Sequence, residues 1–280
     1  MAQAQGNNVY YVPHGSVWPA VGSIGLFTTM IGAANWLNEV SWGKPVFFLG
    51  VAILLFMMFG WFGAVIRESV ARMYNAQVDT SFRMGMMWFI FSEVMFFAAF
   101  FGALFYARAL SVPWLGGEGD GALTHYFLWK DYAAAWPTNG PQAIGGAFET
   151  IPAWGVPFLN TLILLTSGIT VTIAHWGLVK NNRSQLIWGL VATVALGVTF
   201  LGLQMYEYGH AYSELNLKLS TGAYGSTFFM LTGFHGFHVT VGTIMLIVIL
   251  ARSIAGHFTP EHHFGFEGVA WYWHFVDVVW

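Results

Sequence analysis

The chain has 280 residues, 56% hydrophobic, 18% aromatic and only 8% charged, with a formal net charge of −3. A soluble domain carries about 25% charged residues, so a water-soluble globule is excluded, whereas a bilayer core penalises each charged side chain by roughly 2.5–3.5 kcal/mol and selects for this composition. No basic block supports nucleic-acid binding, and the absence of cysteine excludes disulfides, thiolate metal sites and a cysteine nucleophile.

Met1 to Gly6 are polar and show no signal-peptide pattern, so the first span is expected to direct insertion. Crossing the hydrocarbon takes about 20 apolar helical residues. Six stretches qualify, at 17–37, 45–66, 84–110, 157–179, 185–206 and 224–251. A seventh begins near Phe266 and is too short to cross; it stops within the apolar run Val278-Val279-Trp280, as a truncated sequence would. Pro45 and Pro157 sit in first turns, where a missing N–H costs no helix bond. Gly189, Thr193 and Gly197 repeat every four residues, a spacing that lets helices approach closely in lipid, while Gly22 to Leu26 fails that test.

Between the third and fourth spans, 111–156 is rich in glycine and proline and holds Glu118, Asp120 and Asp131, which predicts a turn-rich surface loop packed at the membrane interface. The expected fold is therefore an all-α integral membrane protein of about seven transmembrane helices, one membrane domain over 1–280. Arg67, Arg72, Arg83, Lys180, Arg183 and Arg252 gather on one side, which places the amino terminus in the cytoplasm and the long loop outside.

Glu93 is the sharpest anomaly, near the middle of the third span within Trp88-Phe89-Ile90-Phe91-Ser92-Glu93-Val94-Met95-Phe96-Phe97. An ionised carboxylate there is costly, which favours the neutral acid. It reads either as a proton-path or ligand-binding carboxyl or as a structural acid hydrogen-bonded to a neighbouring helix. His235 and His238 lie three apart and share a helix face. Two such histidines can hold a haem or a metal, but no further ligand lies nearby in sequence, so buried hydrogen bonding competes.

The tail holds Glu261, His262, His263, Glu267, His274 and Asp277. Glu267, His274 and Asp277 fit one helical face, consistent with a polar seam between helices or, less simply, a metal site. Arg67-Glu68 follows the second span and Arg252 ends the sixth, where a guanidinium meets lipid phosphate with good geometry. Trp61 lies over a turn before Arg67; ordinary interfacial anchoring is the competing reading of these residues.

Several segments resemble cytochrome c oxidase subunit III. They are Val65-Ile66-Arg67-Glu68-Ser69, Ser92-Glu93-Val94-Met95-Phe96-Phe97, Pro157-Phe158-Leu159-Asn160-Thr161 and Tyr224-Gly225-Ser226-Thr227-Phe228-Phe229. Thr232-Gly233-Phe234-His235-Gly236-Phe237-His238-Val239, His262-His263-Phe264-Gly265-Phe266-Glu267 and Ala270-Trp271-Tyr272-Trp273-His274-Phe275-Val276-Asp277-Val278-Val279-Trp280 continue the match in the same order. The resemblance implies seven helices, with a two-helix bundle at 17–66 divided by a V-shaped, phospholipid-filled cleft from a five-helix bundle at 84–280. It implies a non-catalytic subunit of a proton-pumping terminal oxidase, with no catalytic, haem or metal residue of its own.

Haem and copper would belong to partner subunits. Subunit I would be the direct neighbour, stabilised and assisted in proton uptake, and subunit II would belong to the same complex. Glu93 matches the family's buried carboxyl, known for reacting with hydrophobic carbodiimides; Trp61, Arg67, Glu68 and Arg252 match positions near lipid head groups. The loop at Met73-Tyr74-Asn75-Ala76-Gln77-Val78-Asp79 departs from the family's pattern and carries no lipid contact over, and Phe62 and Gly63 depart as well. With no organelle presequence, a bacterial inner membrane is expected. The alternatives are the corresponding subunit of a ubiquinol oxidase, opposed by the two amino-terminal spans, and a seven-helix proton-coupled transporter, opposed by the lack of internal repeats.

Overall fold

A computed structural model describes residues 15–280. The polar start, Met1 to Gly6, lies outside the described residues. The helices are α1 (Trp18–Leu37), α2 (Gly43–Val70), α3 (Ala76–Tyr106), α4 (Val112–Leu115), α5 (Ala122–Leu128), α6 (Val156–Val179), α7 (Arg183–Ser213), α8 (Gly222–Ile254) and α9 (Phe264–Val279). No strand occurs among the described residues. Six helices are long and apolar enough to cross a membrane: α1, α2, α3 with its continuation to Leu115, α6, α7 and α8. The expected seventh span is α9, whose 16 residues fall short of the roughly 20 that a crossing takes.

Most helices overrun the apolar stretches that announced them. Hydropathy marks the part that needs lipid, while helical hydrogen bonding continues until something stops it. α7 starts at a cap, where Asn182 Oδ1 accepts from the Gln185 N–H at 3.2 Å. α8 ends where the Arg183 guanidinium donates to the carbonyls of Ser253 at 2.7 Å and Ile254 at 3.2 Å, satisfying acceptors the helix leaves open. Gly256, at φ 77°, turns the chain out of α8.

The chain divides into two compact units, Met1–Phe82 and Arg83–Trp280. In the first, α1 and α2 form an antiparallel pair along Gly22, Gly25, Thr29 and Gly32 of α1. A Cβ on Gly32 would run into the backbone of Phe47, and one on Gly50 into the backbone of Thr29. Without side chains there the backbones come close enough for dispersion to hold them, which in lipid replaces the hydrophobic drive.

In the second unit α6, α7, α8 and α9 pack in a ring, α6 on α7, α7 on α8, α8 on α9 and α9 back on α6. The seam of α6 and α7 is antiparallel and lined by small residues: Gly189 meets Ala174, and Thr193 hydrogen-bonds Thr170 at 2.7 Å. Trp273 of α9 fills the centre, fully buried, with its indole N–H on Ser167 Oγ at 2.9 Å. α3 joins through Phe97, whose ring lies against His238 and Phe275.

The segment 111–156 has more order than its glycine content announces. α3 passes through a π-helical stretch, Ala107–Ser111, into α4, and a 3₁₀ turn leads into α5. The remainder is tied to the first turn of α8 and the chain before it: the Tyr224 N–H donates to Thr138 O at 3.0 Å, and Asn216 Nδ2 donates to the carbonyls of Gly145 and Ala147 at 2.9 Å.

Candidate functional site

The most distinctive group joins α3 to α8. Glu93 Oε2 lies 2.9 Å from His238 Nε2, and His238 Nδ1 lies 2.6 Å from the carbonyl of Phe234. A carbonyl only accepts, so Nδ1 carries a proton and donates it. The contact with Glu93 therefore holds one proton, either as a carboxylic acid donating to a neutral imidazole or as an imidazolium donating to a carboxylate. Both forms carry no net charge, which suits a site at membrane depth. The rings of Phe96, Phe97, Phe275 and Tyr272 surround the imidazole at 5.0–6.3 Å. The Glu93 side chain is 21% exposed.

A second group closes the end of this unit where α3 begins and α6 and α8 finish. Arg83 donates through Nε and Nη2 to Glu267 Oε2 at 3.0 and 2.8 Å. His175 stacks edgewise on His263, centroids 5.3 Å apart, and its buried Nε2 has no partner. His263 Nδ1 donates to Thr259 O at 3.1 Å. The Arg252 guanidinium stands 4.4 Å above the Phe258 ring, and its Nε has no protein partner.

A third group faces α6 from α9. Thr172 gives its hydroxyl hydrogen to Gly168 O at 2.9 Å, so at 3.3 Å it accepts from His274 Nε2. Asp277 Oδ2 lies 3.9 Å from His274 Nδ1 and rests against Gly168, where a Cβ would displace it. His235 turns elsewhere: its Nε2 donates to Val276 O at 3.1 Å and its ring packs on Phe200 and Trp280. The five polar residues of α8 and α9 thus have separate partners: Glu93 for His238, Val276 for His235, Arg83 for Glu267, and Thr172 and Gly168 for His274 and Asp277.

In the first unit Glu68 accepts from Tyr74 OH at 2.6 Å. Trp61 and Arg67 are exposed, Arg67 in the last turn of α2. Among the described residues no group of three or more His, Asp or Glu side chains is arranged to hold a metal ion. Glu207, Gln204 and Asn160 are also buried polar residues, and nothing in the local sequence marks them as such. The fifth apolar stretch stops at Tyr206, which put Glu207 in a loop. Helix α7 continues to Ser213, and the signal that marks it is the run of helix-compatible residues past the apolar edge.

These features define a multi-pass helical membrane protein with a carboxyl–imidazole pair joining two of its helices. The family model of cytochrome c oxidase subunit III matches residues 8–120 and 129–280. The chain is 42% identical to cytochrome c oxidase subunit 3 of Marchantia polymorpha over 266 residues, covering 95% of this chain and 90% of that one. It is 40% identical to the protein of the same name from Arabidopsis thaliana, over 97% of this chain and 92% of that one. It is 40% identical to that of Drosophila melanogaster, over 98% of this chain and 94% of that one. The chain belongs to the cytochrome c oxidase subunit III family.

Proposed function

We propose that this chain is the non-catalytic third subunit of a respiratory terminal oxidase that takes electrons from cytochrome c, reduces oxygen to water and pumps protons. The observation that carries this reading is the family match, which runs through both units. On this reading the haems and copper reside in partner subunits, subunit I is the direct neighbour and subunit II belongs to the same complex. The seven spans, α9 included, group as two helices at 17–66 and five at 84–280. The chain lies in a bacterial inner membrane with its amino terminus in the cytoplasm, the side the basic residues favour.

Its work is to bind phospholipid, to stabilise subunit I and to support proton uptake. Trp61, Arg67, Glu68 and Arg252 hold lipid head groups. Arg252, in the last turn of α8 with its guanidinium 4.4 Å from the Phe258 ring, stands where a phosphate head group would be met. Glu93, paired to His238, is the buried carboxyl on the apolar side. Purification in mild detergent tests the reading. Co-purifying haem-bearing subunits, with oxygen uptake driven by reduced cytochrome c, are the expected result. A complex driven only by ubiquinol would assign it to the quinol-oxidising relatives, and a chain that purifies alone would overturn the assignment.

A further inference from the structure

A second intramembrane carboxyl lies far from Glu93 in sequence and has no basic partner within hydrogen-bonding distance. Glu207 sits in α7, six residues before that helix ends at Ser213, about 9 Å along the axis. It is 5% exposed, and the contact it accepts from Gln204 is a long one, 3.4 Å from Nε2 to Glu207 Oε2. Gln204 is equally buried, and its Oε1 has no partner. On the facing helix Asn160 is fully buried, and both its Oδ1 and its Nδ2 have no partner. The antiparallel register of α6 and α7, fixed by Ala174 against Gly189 and Thr170 against Thr193, carries Asn160 to the level of Gln204.

The neighbouring hydroxyls are already committed. Thr161 gives its hydrogen to Pro157 O and accepts from Trp280 Nε1, and Thr232 gives its hydrogen to Phe228 O and accepts from Tyr208 OH. What remains unpartnered is therefore mixed: the acceptors Gln204 Oε1 and Asn160 Oδ1, and the donor Asn160 Nδ2. A cation would satisfy the oxygens and leave the amide hydrogens of Asn160 facing it. Water satisfies both kinds. A buried polar group left unpaired costs on the order of 1–3 kcal/mol, and three such atoms, Gln204 Oε1 and both polar atoms of the Asn160 amide, lie at this level of the bundle. Gln204 and Glu207 line a cavity of about 180 Å³, with Pro157, Thr232 and Trp280 on its wall, room for several waters at about 30 Å³ each. Ile151 and Ala153, from the loop before α6, complete the wall, so the cavity lies toward the end of the bundle that carries the long loop.

We propose that Gln204 and Glu207 border a cluster of ordered water that keeps the Glu207 carboxyl in proton exchange with the aqueous phase on the long-loop side. The other titratable groups near Glu207 are on its own helix: His210, paired to Glu214 at 3.2 Å, and Tyr208, which donates to Thr232. α6, α8, α9 and the loop present Pro157, Phe228, Thr232, Trp280, Ile151 and Ala153 there, none of which titrates.

The test is infrared difference spectroscopy of the whole oxidase complex on a pH step, in H2O and D2O. The expected result is a carboxylic-acid C=O band that disappears in Glu207→Gln, persists in Glu93→Gln, and shifts on transfer to D2O within the mixing time. Gln204→Met, close to isosteric and without polar atoms, should slow that shift at least tenfold; it serves as the deciding variant if Glu207→Gln does not assemble. A band untouched by Glu207→Gln, a Glu207 band that ignores D2O, or exchange unchanged in Gln204→Met would overturn the proposal. So would a density map of the complex in which protein atoms fill the cavity.

Discussion

Glu93 and His238 stand 145 residues apart in sequence and 2.9 Å apart in space. Because His238 Nδ1 is committed to Phe234 O, the pair shares a single proton, and that fixes how substitutions act. Glu93→Gln places an amide donor opposite Nε2, so the fold and the hydrogen bond survive. His238→Leu removes the partner and leaves the carboxyl alone among aromatic rings, at a cost of about 1–3 kcal/mol. Thermal denaturation of the complex should leave the first variant near wild type and lower the second by several degrees. A hydrophobic carbodiimide should modify Glu93, whose side chain is 21% exposed, while a water-soluble one should not. Equal reaction with both reagents would contradict a lipid-side carboxyl.

What the sequence disclosed depends on whether the signal was local. Glu93 was visible because a carboxylate inside an apolar run is anomalous by itself. Its partner was not, because the register of α3 against α8 is set by packing that no single stretch encodes; His238 looked equally ready to act with His235. The close seam of α1 and α2 escaped for a different reason. Gly22, Gly25, Thr29 and Gly32 alternate steps of three and four, the spacing of one helix face, so a search for strict steps of four rejects them at Leu26. Gly189, Thr193 and Gly197 pass that search and do line a seam, against Ala174, Thr170 and Trp273. Glu207 was hidden by a boundary, since hydropathy ends before the helix does.

The seam of the first unit predicts a sharp size limit. Gly32 and Gly50 each meet the backbone of the facing helix, and backbone cannot rotate away as a side chain can. Gly50→Leu or Gly32→Leu should part the two helices and cost at least the roughly 1–3 kcal/mol typical of overpacking. Gly102→Ala, with nothing within 4 Å of the added carbon, should have no measurable effect. Thermal stability of the three variants in the same detergent checks the contrast, and a Gly50→Leu protein as stable as Gly102→Ala would mean that the pair tolerates separation.

The Arg83–Glu267 pair supports the end of the second unit. Its side chains are 34% and 17% exposed, so solvent screens part of the attraction and the coupling should be about 1 kcal/mol, the upper end for partly exposed pairs. A double-mutant cycle with Arg83→Gln and Glu267→Gln measures it. Coupling near zero would leave the two residues merely adjacent.

Arg252 separates lipid binding from anchoring. Its guanidinium lies 4.4 Å from the centre of the Phe258 ring in the last turn of α8, and a guanidinium offers a planar fork to an anion. Arg252→Ala should reduce co-purifying anionic phospholipid. Arg252→Lys, which keeps the charge and loses the fork, should restore it only in part. Native mass spectrometry of the complexes reads this directly, and unchanged lipid in both variants would mean that the side chain only anchors α8.

The assignment as a non-catalytic subunit makes the last prediction. The isolated chain should be colourless and redox-inert. Depleting it from the complex should leave initial oxygen reduction running, because on this reading electrons, haems and copper never pass through it. The deficit should develop with use, as slower proton uptake at high pH and a shorter working life, since the chain would shield one flank of subunit I and hold lipid and titratable groups beside it. Initial rate and the decay of activity over many turnovers, measured with and without the chain at matched haem content, distinguish the roles. An unchanged initial rate with accelerated decay is the expected pattern. Immediate and complete loss of oxygen reduction, with the partner subunits and their haems in place, would assign this chain a catalytic part.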